Sequence, residues 1–293
     1  MAKKKMTVNL FKLHVGHTST MSLEDVLRGI ESTPIDQRNR KPSYNNMKLE
    51  NIQPPTQATP YWLLNFSKLR DYSPGKGSTT GITQPIAYGQ GEAPSEETAM
   101  LFQPSTGFVA IQYNHYGLRS DAIAEYLSIF DSSANNNFEF NVQLKRTAQA
   151  RLATKTIFTK LDIKVAPSSI SSAYRQHNVS LMAALDATGS SVNPDTLSLT
   201  LTANKKNPNG LNISGWLTSL QNLVLGGGNA QRVIVSGRDS IHSKVDIINL
   251  IEEKESINYD KVRLDQGLRL DMNDRWDHLE KSYAKWKRDG YFQ

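Results

Sequence analysis

The chain has 293 residues, 38% of them hydrophobic and 21% charged, which is enough apolar surface to bury a core in one large or two ordinary domains. Its longest apolar runs, such as 61–66 with Asn65 inside it, fall well short of the ~18 residues that cross a bilayer. No apolar stretch backs the basic start at Lys3, Lys4 and Lys5, so neither a span nor a secretory leader is expected. The absence of Cys excludes thiol catalysis, disulfides and Cys-ligated metals, and points to a reducing, cytoplasmic setting.

In chain order, residues 7–14 alternate around Val8 and Leu10 and read as a strand. Ser22 is placed to cap a helix over 23–30, with Glu24 and Asp25 in the first turn, where the helix dipole favours acids. Residues 33–60, rich in Pro, Asn, Gln and Arg, show no apolar period and read as a long loop. A strand at 61–69 follows, then a Gly- and Pro-rich segment over 73–95. The apolar runs 99–102 and 108–113 flank Gln103-Pro104-Ser105-Thr106-Gly107, whose turn chemistry predicts a hairpin. Ser120 is expected to cap a helix over 121–130, and Asn135, Asn136 and Asn137 mark a domain boundary near 132–137.

The second half keeps a regular rhythm. Strands are predicted at 138–146, 156–165, 196–202, 232–235 and 245–251, with helices at 181–185 and 213–225 between them. A long terminal helix over 273–289 aligns Trp276, Leu279, Tyr283 and Trp286 on one stripe, a spacing suited to a core or a dimer contact. The predicted class is therefore α+β. It consists of two mixed α/β domains with antiparallel or mixed sheets, 1–135 and 136–293, the second closed by the amphipathic terminal helix.

The net charge of +6 is modest, so its distribution matters more than its size. Residues 136–178 hold seven bases (Lys145, Arg146, Arg151, Lys155, Lys160, Lys164 and Arg175) against Glu139 and Asp162. Residues 204–238 hold Lys205, Lys206, Arg232 and Arg238 and no acid. A field of this kind favours a polyanion. On a strand, residues 232, 234, 236 and 238 share a face, so Arg232 and Arg238 would point to solvent while Val233 and Val235 enter the core. The same rule sets Lys160 and Lys164 apart from Leu161, Ile163 and Val165. Bases spread over sheet faces, with few exposed aromatics, suit phosphate contact better than base reading.

Other constellations point to little. His14 and His17 have metal-ligand spacing but no acid beside them, and Gly75-Lys76-Gly77-Ser78-Thr79 lacks the first Gly of a phosphate loop, since Arg70 stands there. The acid pairs Glu96/Glu97, Glu252/Glu253 and Asp271/Asp274 could serve a nuclease only if the fold made them converge. No catalytic residue, metal or cofactor is assigned.

Several short stretches, in order, are similar to the RexA-type exclusion proteins of lambda-like phages and, more loosely, to KwaB-type antiphage proteins. They are Thr106-Gly107-Phe108, Ser120-Asp121 with Tyr126-Leu127, Val142 and Leu144, and Ile163-Lys164-Val165. Leu185 with Ala187-Thr188, the Leu197/Leu199/Leu201 strand and Arg238-Asp239 complete the order. The resemblance implies a homodimeric, cytoplasmic sensor that binds double-stranded DNA without sequence preference and signals to a membrane-embedded effector. Arg232 and Arg238 are the leading DNA contacts, with Lys205, Lys206, Lys145, Arg146 and Lys164 beside them. A metal-dependent nuclease and a basic protein–protein adaptor are the alternatives.

Overall fold

The computed structural model describes residues 3–16, 19–42, 46–72, 75–76, 79–167, 170, 175, 181–185, 194–204, 207–225 and 230–292. Strand β1 (Lys3–Val15) opens the chain and helix α1 (Leu23–Ser32) follows. As expected, Ser22 caps α1: its hydroxyl accepts from the Asp25 amide while the Asp25 carboxylate accepts from the Ser22 amide. Strands β2 (Asn46–Gln53), β3 (Trp62–Leu69), β4 (Ser95–Gln103) and β5 (Phe108–Tyr113) then build an antiparallel meander, and α2 (Ser120–Ile129) packs on it. Gly107, in the β4–β5 turn, has φ +65°, a left-handed conformation open to glycine.

Two details of this region depart from the sequence reading. The 33–60 stretch contains β2, which buries Met47 and Leu49 completely and pairs with β3. A bulge between Leu49 and Asn51 shifts the register before Ile52, and that extra residue breaks the period-two signal. Ser120 is the first helical residue of α2 rather than its cap, a position held by Arg119, and its side chain is buried.

β1 is long enough to serve two partners on one edge. β5 occupies its other edge, while β11 (Ser256–Arg263) pairs along Lys3–Asn9 and β6 (Phe138–Val142) along Phe11–Val15. The sheet order is β11-β1-β5-β4-β3-β2, with β6 also on β1. Helices α1 and α2 cover one face through Leu27, Ile30, Ile123 and Leu127 against Trp62, Leu64, Phe66 and Phe102. The terminal helix α5 (Met272–Arg288) covers the other, packing Trp276, Leu279 and Trp286 on Val8, Leu10, Leu63 and Leu101. The aromatic stripe is thus core, and Asp271 caps the helix by accepting from the Asp274 amide.

The expected division at 135/136 does not match this architecture, because β6, β11 and α5 all belong to the first sheet. The chain leaves that sheet through 143–145 and returns through 253–255, and these two segments are bonded to each other. The Lys145 amide donates to the Glu253 carbonyl at 2.9 Å and the Glu255 amide to the Gln143 carbonyl at 2.8 Å. Residues 146–252 are therefore an insertion between two strands that lie end to end along β1. It begins with α3 (Arg146–Ala153), a helix without a counterpart in the sequence reading, and the strand expected over 138–146 ends at Val142. Its sheet runs β10 (Asp246–Asn249), β9 (Arg232–Arg238), β7 (Ile157–Val165), β8 (Leu197–Thr202), all antiparallel.

Helix α3, the helical turn at 181–185 and α4 (Leu217–Leu225) cover one face of this second sheet over Leu161, Ile163, Val165, Val233 and Val235. The molecule has the expected mixed α/β content, with antiparallel sheets and a C-terminal helix. Among the described residues, no helix is long and apolar enough to cross a membrane.

Candidate nucleic-acid interface

The face of the second sheet turned away from α3 and α4 is set by the alternation of its strands. Lys160, Asp162 and Lys164 on β7 lie between Thr202, Thr200 and Ser198 on β8 and Ser236, Ile234 and Arg232 on β9. One row across the sheet is thus Ser198–Lys164–Arg232 and another Thr202–Lys160–Ser236. A bulge in β7 between Phe158 and Lys160 makes this possible. Without it Phe158 and Lys160 would share a face; with it the ring is buried and the ammonium is exposed.

Four cations share this face with one carboxylate on β7. Asp162 is 9% exposed, and the Arg232 Nε lies 3.1 Å from its Oδ1 and the Lys160 Nζ 3.9 Å from its Oδ2. Arg232 and Lys160 keep 44% and 45% of their side-chain surface, so both are held yet remain available to an outside anion. Among the described residues Lys164 makes no ion pair. Arg238 ends β9 in the same period, with Nη1 donating to the Ile241 carbonyl at 3.0 Å and a buried Nε that has no partner among the described residues.

At this end the face deepens into a hollow of about 440 Å³ lined by Lys160, Thr202, Asn204, Asn207, Ser236 and Arg238. Gly210 closes the turn beside it with φ +65°, where a Cβ would sit 2.3 Å from the Phe158 carbonyl oxygen. Lys205 and Lys206 lie between these lining residues in sequence and outside the described residues.

The structure does not bring Lys145 and Arg146 to this face. The Lys145 ammonium donates to the Glu252 carbonyl at 2.9 Å and pairs with Glu253 at 3.5 Å. The Arg146 guanidinium donates to the Gly290 carbonyl and lies over the Tyr291 ring at 5.4 Å. Both residues fasten the root of the insertion. There, burial and then the hydrogen bond to Glu255 push the Tyr291 hydroxyl up to about 12.

Two further bases of the 136–178 stretch are neutralised elsewhere. Arg151 binds Asp246 at 2.6 Å and Glu253 at 3.1 Å, and Lys155 binds Asp239 at 2.8 Å and Asp246 at 3.2 Å. The hydrogen bond from Arg151, helped by Lys155, holds Asp246 down to about 2. Of the described bases counted in the sequence, those placed on the sheet face are Lys160, Lys164, Arg232 and Arg238.

His14 lies on β1, and His17 lies outside the described residues. No group of three or more His, Cys, Asp or Glu side chains among the described residues is placed to hold a metal ion.

A family model described as a family of unknown function, DUF6731, matches residues 1–289. The chain belongs to that family. The DUF6731 match runs through both sheets, the insertion and all but the last residues of the chain. No curated protein matches this DUF6731 member.

Proposed function

We propose that this DUF6731 protein binds double-stranded DNA without sequence preference through the open face of its inserted sheet. The observation that carries the reading is that Lys160, Lys164, Arg232 and Arg238 share one face of the sheet with the exposed hydroxyls of Ser198, Thr200 and Thr202. Ammonium, guanidinium and hydroxyl groups all donate to phosphate oxygens, and such contacts fix a protein on the duplex without reading its sequence. These rows hold no aromatic side chain on which an unpaired base could stack, which favours the duplex over single strands.

Four phosphate contacts give a slope of log affinity against log salt near −3.6, or about a hundredfold loss between 50 and 200 mM salt. The test is binding of a random-sequence duplex over that series, without metal. The Lys164→Ala/Arg232→Ala variant should lose about half of the slope. Wild-type affinity that ignores salt, or a variant with unchanged slope, would contradict the reading.

In the cell, we take this binding to serve phage exclusion, as the resemblance to RexA-type and KwaB-type proteins implies. The protein would be a cytoplasmic homodimer that senses DNA and signals to a membrane-embedded effector.

A further inference from the structure

A second cationic site lies on the first sheet, well separated in sequence and fold from the proposed DNA face. Beside the start of α5 is a cleft of about 650 Å³, within the usual range for small-molecule pockets. Its floor is polar although it sits on the α5 face of the sheet. Arg275, 1% exposed, donates to Asn65 Oδ1 at 3.0 Å and also bonds the Glu97 carboxylate. Arg269 bonds the other oxygen of Glu97 at 3.0 Å, so two guanidinium groups share that carboxylate. The Arg275 Nε is buried without a partner among the described residues. A third guanidinium, Arg70, pairs with Glu96 at 2.9 Å.

Lys4 and Lys5 also line the cleft. Lys5 reaches Asp260 only at 3.6 Å with both side chains largely exposed, and Lys4 makes no ion pair among the described residues. The cleft thus brings together five cations; Glu96 and Glu97 hold three of them, Arg269 also bonds Asp265 at 2.9 Å, and Lys4 and Lys5 are the least engaged.

Its mouth is aromatic. Tyr113 and Tyr116 line it and keep 39% and 57% of their surface exposed. The Arg70 guanidinium lies 4.7 Å from the Tyr116 ring centroid, bringing a cation and an exposed ring together at one spot. Leu268, in the 265–269 turn that also lines the cleft, has φ +61° and is 71% exposed. A branched, non-glycine residue held in the left-handed region is the kind of local strain found at ligand clamps.

From these features we infer that the cleft binds a nucleoside phosphate, with the phosphate among Lys4, Lys5 and Arg269 above the buried Arg275, and the base against Tyr113 and Tyr116. The cations supply charge-assisted donors for phosphate oxygens, and an exposed tyrosine accepts a planar base on its face. The volume limits the occupant to a small molecule and so separates this site from a duplex site on the insertion.

The test is calorimetric titration of the full chain with ATP, AMP, adenosine and inorganic phosphate. Wild type should bind ATP or AMP saturably, with adenosine and phosphate each about tenfold weaker or worse. Arg269→Ala and Tyr116→Ala change exposed side chains and leave the Arg275–Glu97 contact in place. Each should weaken the nucleotide by about tenfold with an unchanged thermal unfolding curve. Lys164→Ala/Arg232→Ala should keep wild-type nucleotide affinity, which separates failure of this site from failure of the DNA face. The inference is overturned if neither ATP nor AMP binds, if adenosine or phosphate alone binds as tightly, or if both cleft variants bind as wild type does.

Discussion

The two sheets are made of similar antiparallel strands, but they differ in what lies on their second face. In the first sheet α1 and α2 take one side and α5 the other, so β3 runs Trp62-Leu63-Leu64-Asn65-Phe66-Ser67 with every one of these residues buried. In the inserted sheet the described helices all pack on one side, and β8 keeps a strict Leu/Ser-Thr alternation with Ser198, Thr200 and Thr202 in solvent. The polar face of the inserted sheet keeps its cations in contact with water, whereas the first sheet keeps Arg275 by giving it Glu97, Asn65 and Gln112.

The comparison can be broken first by substitution. Trp286 is fully buried between α5 and the first sheet and donates to Glu255 at 2.7 Å. Trp286→Ala should cost about 3–5 kcal/mol in urea unfolding. Thr200→Ala, on the open face, should stay within about 0.5 kcal/mol. A large loss at Thr200 would mean that the face is covered in solution.

A smaller effect separates the two regions by pH. Asp246 ionises at about 2 in the folded chain against an ordinary 3.8, so it stabilises the insertion fully above pH 3.8. That contribution is lost as pH falls through about 2. Acid unfolding followed by Trp216 fluorescence, with the other tryptophans subtracted using a Trp216→Phe control, should show the step. Asp246→Asn should remove it, and a variant whose acid profile matched wild type would detach the insertion's stability from the Arg151–Asp246–Lys155 cluster.

Features written in a few neighbouring residues were legible from the sequence. The Ser22 cap needs only Asp25 three residues on, and the α5 stripe needs only helical spacing. Period two placed Arg232 and Arg238 on one face of β9. Features decided by distant partners were not legible. β2 was hidden by the bulge after Leu49, and β11, which received no assignment, is recognisable mainly by its pairing with β1, some 250 residues earlier in the chain.

The insertion is invisible locally because its root is a pairing of 143–145 with 253–255. Lys145 and Arg146 fall with the basic face in a count of charge along the chain, which cannot see that Glu253 and the Gly290 carbonyl claim them. The cleft draws Lys4, Arg70, Glu97, Tyr116 and Arg269 from five separate segments, so nothing in the sequence order announced it.

The most direct test of the open-face account is lysine footprinting, in which the chain is acetylated with and without a random DNA duplex and each site is read by mass spectrometry. The account predicts that DNA protects Lys160 and Lys164 while Lys4, Lys5 and Lys12 on the first sheet react as before. Protection of the first-sheet lysines with Lys160 and Lys164 unchanged would contradict it.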